Sequence, residues 1–342
     1  MQLIKPDINI DFVGVRRYAY GLSLALILAS IISLVVHGGP KYGIDFAGGA
    51  EALVKFDTAV PIEKVKSAVT AIGLQGSVQE YGKGGADYYR ILIDAQQAAT
   101  EDLNRKLQSA LETETQTKVT VDSFEEVGPQ VGNDMRQKAL GAIFFALLLL
   151  NIYISGRFEF KWLLSAGMTI TILALVYVLY LFHVTLPILI FVALLGSIAL
   201  FYLFRLKYAM GAIVALMHDV IITVGCFSFY GKEFSLPIVA AILTIIGYSL
   251  NDTIIVFDRI RENLRKYQKQ SLAEIINRSV NETLSRTILT SGFTLLVVIA
   301  LFFLGGGIIH DFAFALLVGI VVGTYSSIYV ASPILLAFEK NK

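Results

Sequence analysis

The sequence predicts a multi-span α-helical membrane protein that carries one small α+β domain outside the bilayer. Of its 342 residues, 56% are hydrophobic and only 16% charged, with a mean hydropathy of +0.68. Soluble domains carry about 25% charged residues. The apolar residues fall into runs long enough to cross a bilayer, which takes roughly 20 residues per helix. One sizeable polar stretch, residues 37–133, separates the first run from the rest. A net charge of +1 excludes the strong basic field of a nucleic-acid binder. The single Cys226 excludes an intrachain disulfide.

The N-terminal tail, residues 1–17, leads into a first span at 18–36. Lys5, Arg16 and Arg17 lie ahead of this apolar run, which is longer than a signal-peptide h-region, so it reads as an uncleaved anchor. In the outer region, 37–133, β-rich runs occur at Glu51–Phe56, Ser77–Tyr81, Tyr88–Ile93 and Lys118–Phe124. Helical periodicity occurs at Ile62–Ile72 (Val65, Val69 and Ile72 on one face) and at Thr100–Thr113 (Leu103, Leu107 and Leu111). The order βαββαβ is that of a ferredoxin-like fold, with Gly82-Lys83-Gly84-Gly85 as the turn between the middle strands.

Seven further spans are expected at about 138–155, 162–182, 186–204, 209–229, 236–257, 287–305 and 312–336, before a tail at 337–342. The loop 258–286 contains Leu272, Ile276, Val280 and Leu284 at every fourth position, which predicts an amphipathic helix lying at the membrane surface and docked on the bundle. Lys and Arg concentrate in the N-terminal tail, the links at 156–161 and 205–208, the 258–286 loop and the C-terminal tail. On the other side, the links around 183–187, 230–235 and 305–311 hold only Lys232. The positive-inside rule therefore places both termini in the cytoplasm and residues 37–133 outside.

Ionisable side chains inside membrane helices are costly, and each is a functional candidate. Asp219, preceded by His218, falls near the middle of 209–229. Asp252 lies in Gly247-Tyr248-Ser249-Leu250-Asn251-Asp252-Thr253, about six residues from the cytoplasmic end of its span and so roughly 9 Å inside. Arg286 opens the next span, where its long side chain can snorkel to the headgroups or turn toward a carboxyl group. An inward Arg286 beside Asp252 would make a proton site, because burial favours a neutral carboxyl and a nearby cation favours a charged one. Each proton passed down the membrane potential supplies about 2.3 kcal/mol per 100 mV. Ser249, Asn251 and His218 are supporting polar groups. The structural alternatives are that Asp252 hydrogen-bonds a neighbouring helix, that Arg286 is an interfacial anchor, and that Asp219 serves an interhelical hydrogen bond. Asp258 and Arg259 read as anchors. His37, His183 and His310 lack metal-ligand spacing. There is no phosphate loop or nucleotide fingerprint, and Gly43–Gly49 reads as a tight turn, so no cofactor or metal is expected.

Several stretches are similar to the SecF family of protein-export subunits. They are Gly43-Ile44-Asp45-Phe46-Ala47-Gly48-Gly49, with Ala47 where the family usually has Thr, and Val127-Gly128-Pro129-Gln130-Val131-Gly132. Leu216-Met217-His218-Asp219, Glu233-Phe234-Ser235-Leu236-Pro237 and Thr244 through Arg261 follow. Asn281-Glu282-Thr283-Leu284-Ser285-Arg286-Thr287 and Gly323-Thr324-Tyr325-Ser326-Ser327 complete the match. The resemblance implies an RND-type half bundle that works with SecD beside the SecYEG channel and YajC in the bacterial inner membrane. It also implies a translocating preprotein on the outer side, and protons as the coupling ion. It places function on Asp252 and Arg286, with Asp219 as a third participant. The family has six spans where this sequence offers eight. The extra pair, about 162–204, lies between two copies of a basic link, Arg157-Phe158-Glu159-Phe160-Lys161-Trp162 and Phe204-Arg205-Leu206-Lys207-Tyr208. It is expected as a peripheral hairpin or as a contact with a lineage-specific partner.

The leading expectation is thus a non-enzymatic, proton-driven accessory subunit of protein export. An RND-type half-exporter of lipids or small molecules, and a scaffold indifferent to Asp252, are the alternatives.

Overall fold

The computed structural model describes residues 8–81, 87–94 and 102–338. The glycine turn at 82–85, the start of the second helical pattern at Thr100 and the two chain ends lie outside them. In chain order the elements are α1 (Arg16–Val36), α2 (Ile44–Ala47), β1 (Gly49–Phe56), α3 (Ile62–Ala71), β2 (Gly76–Glu80), β3 (Tyr88–Ile93), α4 (Leu103–Thr115) and β4 (Val119–Val127). Then follow α5 (Pro129–Glu159), α6 (Trp162–Leu181), α7 (Leu186–Leu203), α8 (Lys207–Phe229), α9 (Leu236–Lys266), α10 (Leu272–Leu304) and α11 (Gly307–Ser326). Among the described residues, eight helices are long and apolar enough to cross a membrane: α1, α5 to α10, and α11 with its extension to Phe338.

Alternation builds the outer domain. Ala50, Ala52, Val54 and Phe56 of β1 are buried, as are Tyr89, Ile91 and Ile93 of β3, while the residues between them point to the other face. The strands form an antiparallel sheet in the order β2-β3-β1-β4. Val65 and Val69 of α3, with Leu107 and Leu111 of α4, cover one face of this sheet. The Tyr89 phenol, deep in this core, donates to the Val60 carbonyl.

The opposite face ties the domain to the bundle. Arg90 forks onto Glu51 through two bonds of 2.6 Å and reaches Glu233 at 3.1 Å. Lys41 holds the same Glu233 at 3.0 Å. The glycine-rich turn after α1 acts as a latch. The Gly43 amide donates to the Phe234 carbonyl, and the Phe234 amide to Lys41. The Asp45 side chain accepts from the Leu236 amide at 2.8 Å, satisfying a free donor at the start of α9. Gly48 has φ +76° and lies against Pro129, where a side chain has no room.

Within the bundle, α8 packs on α1, α5, α9 and α11, and α9 lies between α10 and α11. Small residues set these approaches, as expected where lipid leaves no hydrophobic drive between helices. A Cβ on Gly225 would lie 2.1 Å from the Cβ of Ser30 on α1. Gly319 and Gly323 form a G-x-x-x-G face on α11 that meets Ile245 and Ser249 of α9. Beyond α11 the helix widens into a π turn, Ser327–Ala331, before a last turn at Ser332–Ile334 and a 3₁₀ turn at Leu335–Phe338. Pro333 explains the widening. It has no amide hydrogen, and its ring would collide with the carbonyl four residues earlier in a regular α-helix. The Ser332 hydroxyl donates to the Ser327 carbonyl at 2.7 Å.

Residues 162–204 form two helices, α6 and α7, packed on each other, on α5 and on α8. Their contact with α5 is a separate apolar cluster around Phe144, Leu148, Ile172 and Leu189, joined by one buried bond from Asn151 to Ser197 at 2.9 Å.

The expected surface helix within 258–286 is corrected. The connection is only 267–271, because α9 continues to Lys266 and α10 begins at Leu272 and runs unbroken to Leu304. A capping box, Ser271 with Glu274, starts α10, and no helix breaker separates the amphipathic stretch from the span. Ile276, Val280 and Leu284 are buried in the main core. Another face of the same turns grips the N-terminal segment. Asn281 accepts from the Ile10 amide at 2.9 Å, and both Asn277 and Asn281 donate to the Ile10 carbonyl. Asn277 also accepts from the amides of Phe12 and Val13.

Candidate functional site

Two carboxyl groups lie in the middle of the bundle, each 1% exposed, in different surroundings. Asp219 projects from α8. Its Oδ1 pairs with His218 Nδ1 at 2.9 Å. Its Oδ2 accepts from the hydroxyls of Ser249 at 2.5 Å and Ser326 at 2.8 Å. The other His218 nitrogen meets Ser23 of α1 at 3.1 Å, and its ring stacks on Tyr325. The sequence-predicted His218, Asp219 and Ser249 thus come together in one hydrogen-bonded cluster.

Asp252 projects from α9 and is far less supported. The Ser291 hydroxyl of α10 reaches its Oδ2 at 3.4 Å, and Ser291 in turn meets Thr324 at 2.8 Å. Its Oδ1 has no hydrogen-bond partner among the described residues, nor does the buried hydroxyl of Thr287. Arg286 does not pair with Asp252. It is exposed and lines a cavity of about 580 Å³ with Asn251, Arg157, Asp258 and Glu282, within electrostatic reach of Asp252. Asn251 is exposed beside it. Asp258 pairs with Arg157 at 2.8 Å, and Arg259 lies 3.4 Å from Glu282.

Reading charge alone misses the hydroxyls. Ser291, Thr324, Ser326, Ser327 and Thr253 form the polar lining, and Ser326 and Ser327 are fully buried. The signal was present in the run Gly323-Thr324-Tyr325-Ser326-Ser327, since hydroxyls in an apolar span need partners on other helices. The arrangement leaves Oδ1 of Asp252 free to take a proton without displacing a bond among the described residues.

A half bundle with buried carboxyl groups and a small outer sheet domain defines an RND-like membrane transport subunit. The profile of the family described as protein export membrane protein SecD/SecF, C-terminal, matches residues 106–198 and 180–341, and that of the SecD/SecF GG motif matches residues 33–60. The two longer matches overlap within the α6–α7 hairpin. The protein translocase subunit SecF of Desulfurispirillum indicum is 41% identical over 95% of this chain and 90% of that protein. SecF of Vibrio alginolyticus is 39% identical over 100% and 93%. The crystal structure of SecDF from Thermus thermophilus, described as a translocon-associated membrane protein, superposes with a TM-score of 0.73 at 30% identity. That match covers 99% of this chain and 40% of the SecDF chain. The chain belongs to the SecF family.

Proposed function

We propose that the chain is the SecF-type accessory subunit of the Sec translocase, completing a transporter with a SecD partner and using the proton motive force to promote preprotein passage. Asp252 loads and releases the proton, and Arg286 favours its charged form when it swings inward from the cytoplasmic cavity. The observation that carries this reading is the near-bare Asp252, buried and with one oxygen unpartnered, in a family whose partner half lies outside this chain. The outer domain faces the emerging preprotein, both termini lie in the cytoplasm, and SecYEG and YajC are the neighbouring partners in the inner membrane. Protons are the only coupling species.

The test is translocation into vesicles depleted of their own SecD and SecF, then resupplied with SecD and either this chain or Asp252→Asn, with and without a proton gradient. Acceleration by the gradient only with the native carboxyl group supports the reading. Equal acceleration by both forms removes Asp252 from the coupling and leaves a scaffold.

A further inference from the structure

Four consecutive side chains at the end of α11 hydrogen-bond to four different helices. Thr324 meets Ser291 of α10 at 2.8 Å. The Tyr325 hydroxyl donates to the Ala19 carbonyl of α1 at 2.7 Å. Ser326 donates to Asp219 of α8 at 2.8 Å. Ser327 meets Thr253 of α9 at 2.9 Å. Successive residues of a helix turn by about 100°, so four of them sweep the whole circumference. This stretch is the hub on which the polar interior is assembled.

We infer that Asp219 is a positioning residue: through Ser326 it fixes the rotation and height of this hub, and so holds Thr324 and Ser291 beside Asp252, without itself carrying the coupled proton. The inference rests on the reading of Asp252 given above.

Two features of the geometry support it. The first is occupancy. Two hydroxyls, from α9 and α11, donate to Oδ2 of Asp219 and His218 meets its Oδ1, so a change of charge there disturbs bonds that link three helices. A proton placed on Oδ1 of Asp252 displaces none. The second is the softness of the helix where the hub ends. The π turn at Ser327–Ala331 interrupts the regular ladder, and such turns are rare and concentrate at functional sites. A helix interrupted there takes its register from side-chain contacts, and Ser326–Asp219 is a hydrogen bond from it to a carboxyl group of α8. Close backbone fits transmit that register. A Cβ on Gly323 would lie 2.9 Å from the Cβ of Ser249, and one on Gly211 of α8 would lie 2.7 Å from the Ala331 carbonyl oxygen. The charged groups lining the cavity beside Asp252 are Arg286 and Glu282 of α10, Arg157 of α5, and Asp258, Arg259 and Glu262 of α9 itself, and none of them bonds to Asp219.

The test uses the full chain with SecD in vesicles, reading gradient-driven translocation as a function of pH, with the amount of each variant in the membrane measured alongside. Asp252→Asn is expected to lose the gradient response. Asp219→Asn keeps an oxygen that accepts from Ser326 and cannot carry a proton. It is expected to retain the response, lowered by about two- to tenfold, the worth of one net hydrogen bond, with a displaced pH midpoint. Ser326→Ala is expected to behave in the same way, and Ser326→Thr to restore most of the rate and the native midpoint. The Asp219→Asn/Ser326→Ala pair is expected to lose less than the product of the two single losses, because the Ser326–Asp219 contact is counted in both. Loss in Asp219→Asn as complete as in Asp252→Asn overturns the inference and leaves the Asp252 reading standing. Ser326→Ala with unchanged rate and midpoint also overturns it. An unchanged response in Asp252→Asn overturns both.

Discussion

The outer domain and the membrane bundle solve the packing problem in opposite ways. In the domain, large side chains are inside: Phe56, Tyr89, Leu107 and Leu111 are almost fully buried. In the bundle, many of the largest apolar side chains are outside, with Leu163 at 91% and Leu304 at 84% exposed. Its closest helix contacts run through Gly225, Gly319, Gly323 and a set of serines and threonines. Water drives the first arrangement, because apolar area removed from it is worth roughly 25 cal/mol per Å². Lipid gives no such gain between helices, so close fit and hydrogen bonds hold the second. Large apolar side chains therefore mark the core of one region, and both the core and the lipid-facing rim of the other.

This contrast predicts opposite responses to trimming and to enlarging a side chain. Leu107→Ala, in the domain core, is expected to destabilise that domain by about 2–5 kcal/mol, seen as faster amide exchange across β1 and β3. The same trimming at Leu296, 63% exposed on α10, is expected to leave the melting temperature in detergent unchanged; a large drop there would break the comparison. Gly323→Ala enlarges a bundle contact by one carbon, placed 2.9 Å from the Cβ of Ser249. It is expected to cost about 1–3 kcal/mol, read as a lower melting temperature and weaker co-purification with SecD. Smallest is the effect at Tyr88, on the water-facing side of the comparison. Its phenol donates to Asp122 at 2.5 Å, and that bond, with some desolvation, raises its pKa to about 12. The folded value lies above the ordinary one near 10. The contribution is therefore complete below about pH 10 and is lost as pH rises through about 12. Ultraviolet titrations of the native chain and of Asp122→Asn should differ by one phenol, which ionises late in the first and moves back toward the ordinary range in the second.

Long apolar runs and the period of two in the strands made the spans and the sheet legible, since both record solvent directly. The site was legible mainly where it is charged. Asp219 and Asp252 stand out in apolar helices, but apart from Ser249 their hydroxyl partners do not, because a serine in a span looks the same whether it faces lipid or a carboxyl group. The separation of Arg286 from Asp252 was equally hidden, as a snorkelling and an inward arginine share one sequence. The fused α10 was misread because its amphipathic start resembles a surface helix, and only the continuity of the backbone distinguishes the two. Pro333 was visible, yet the π turn it induces depends on room beside Gly211 that no local pattern records.

The grip of Asn277 and Asn281 on the N-terminal segment has a consequence of its own. At Ile10 it touches only main-chain groups: one amide and one carbonyl, held by three bonds. Such a clasp reads spacing and direction and is blind to the letter at that position, much as a neighbouring strand is in a sheet. The segment can therefore drift in composition at residue 10 while staying fastened. Proline alone, which has no amide hydrogen to offer, undoes it.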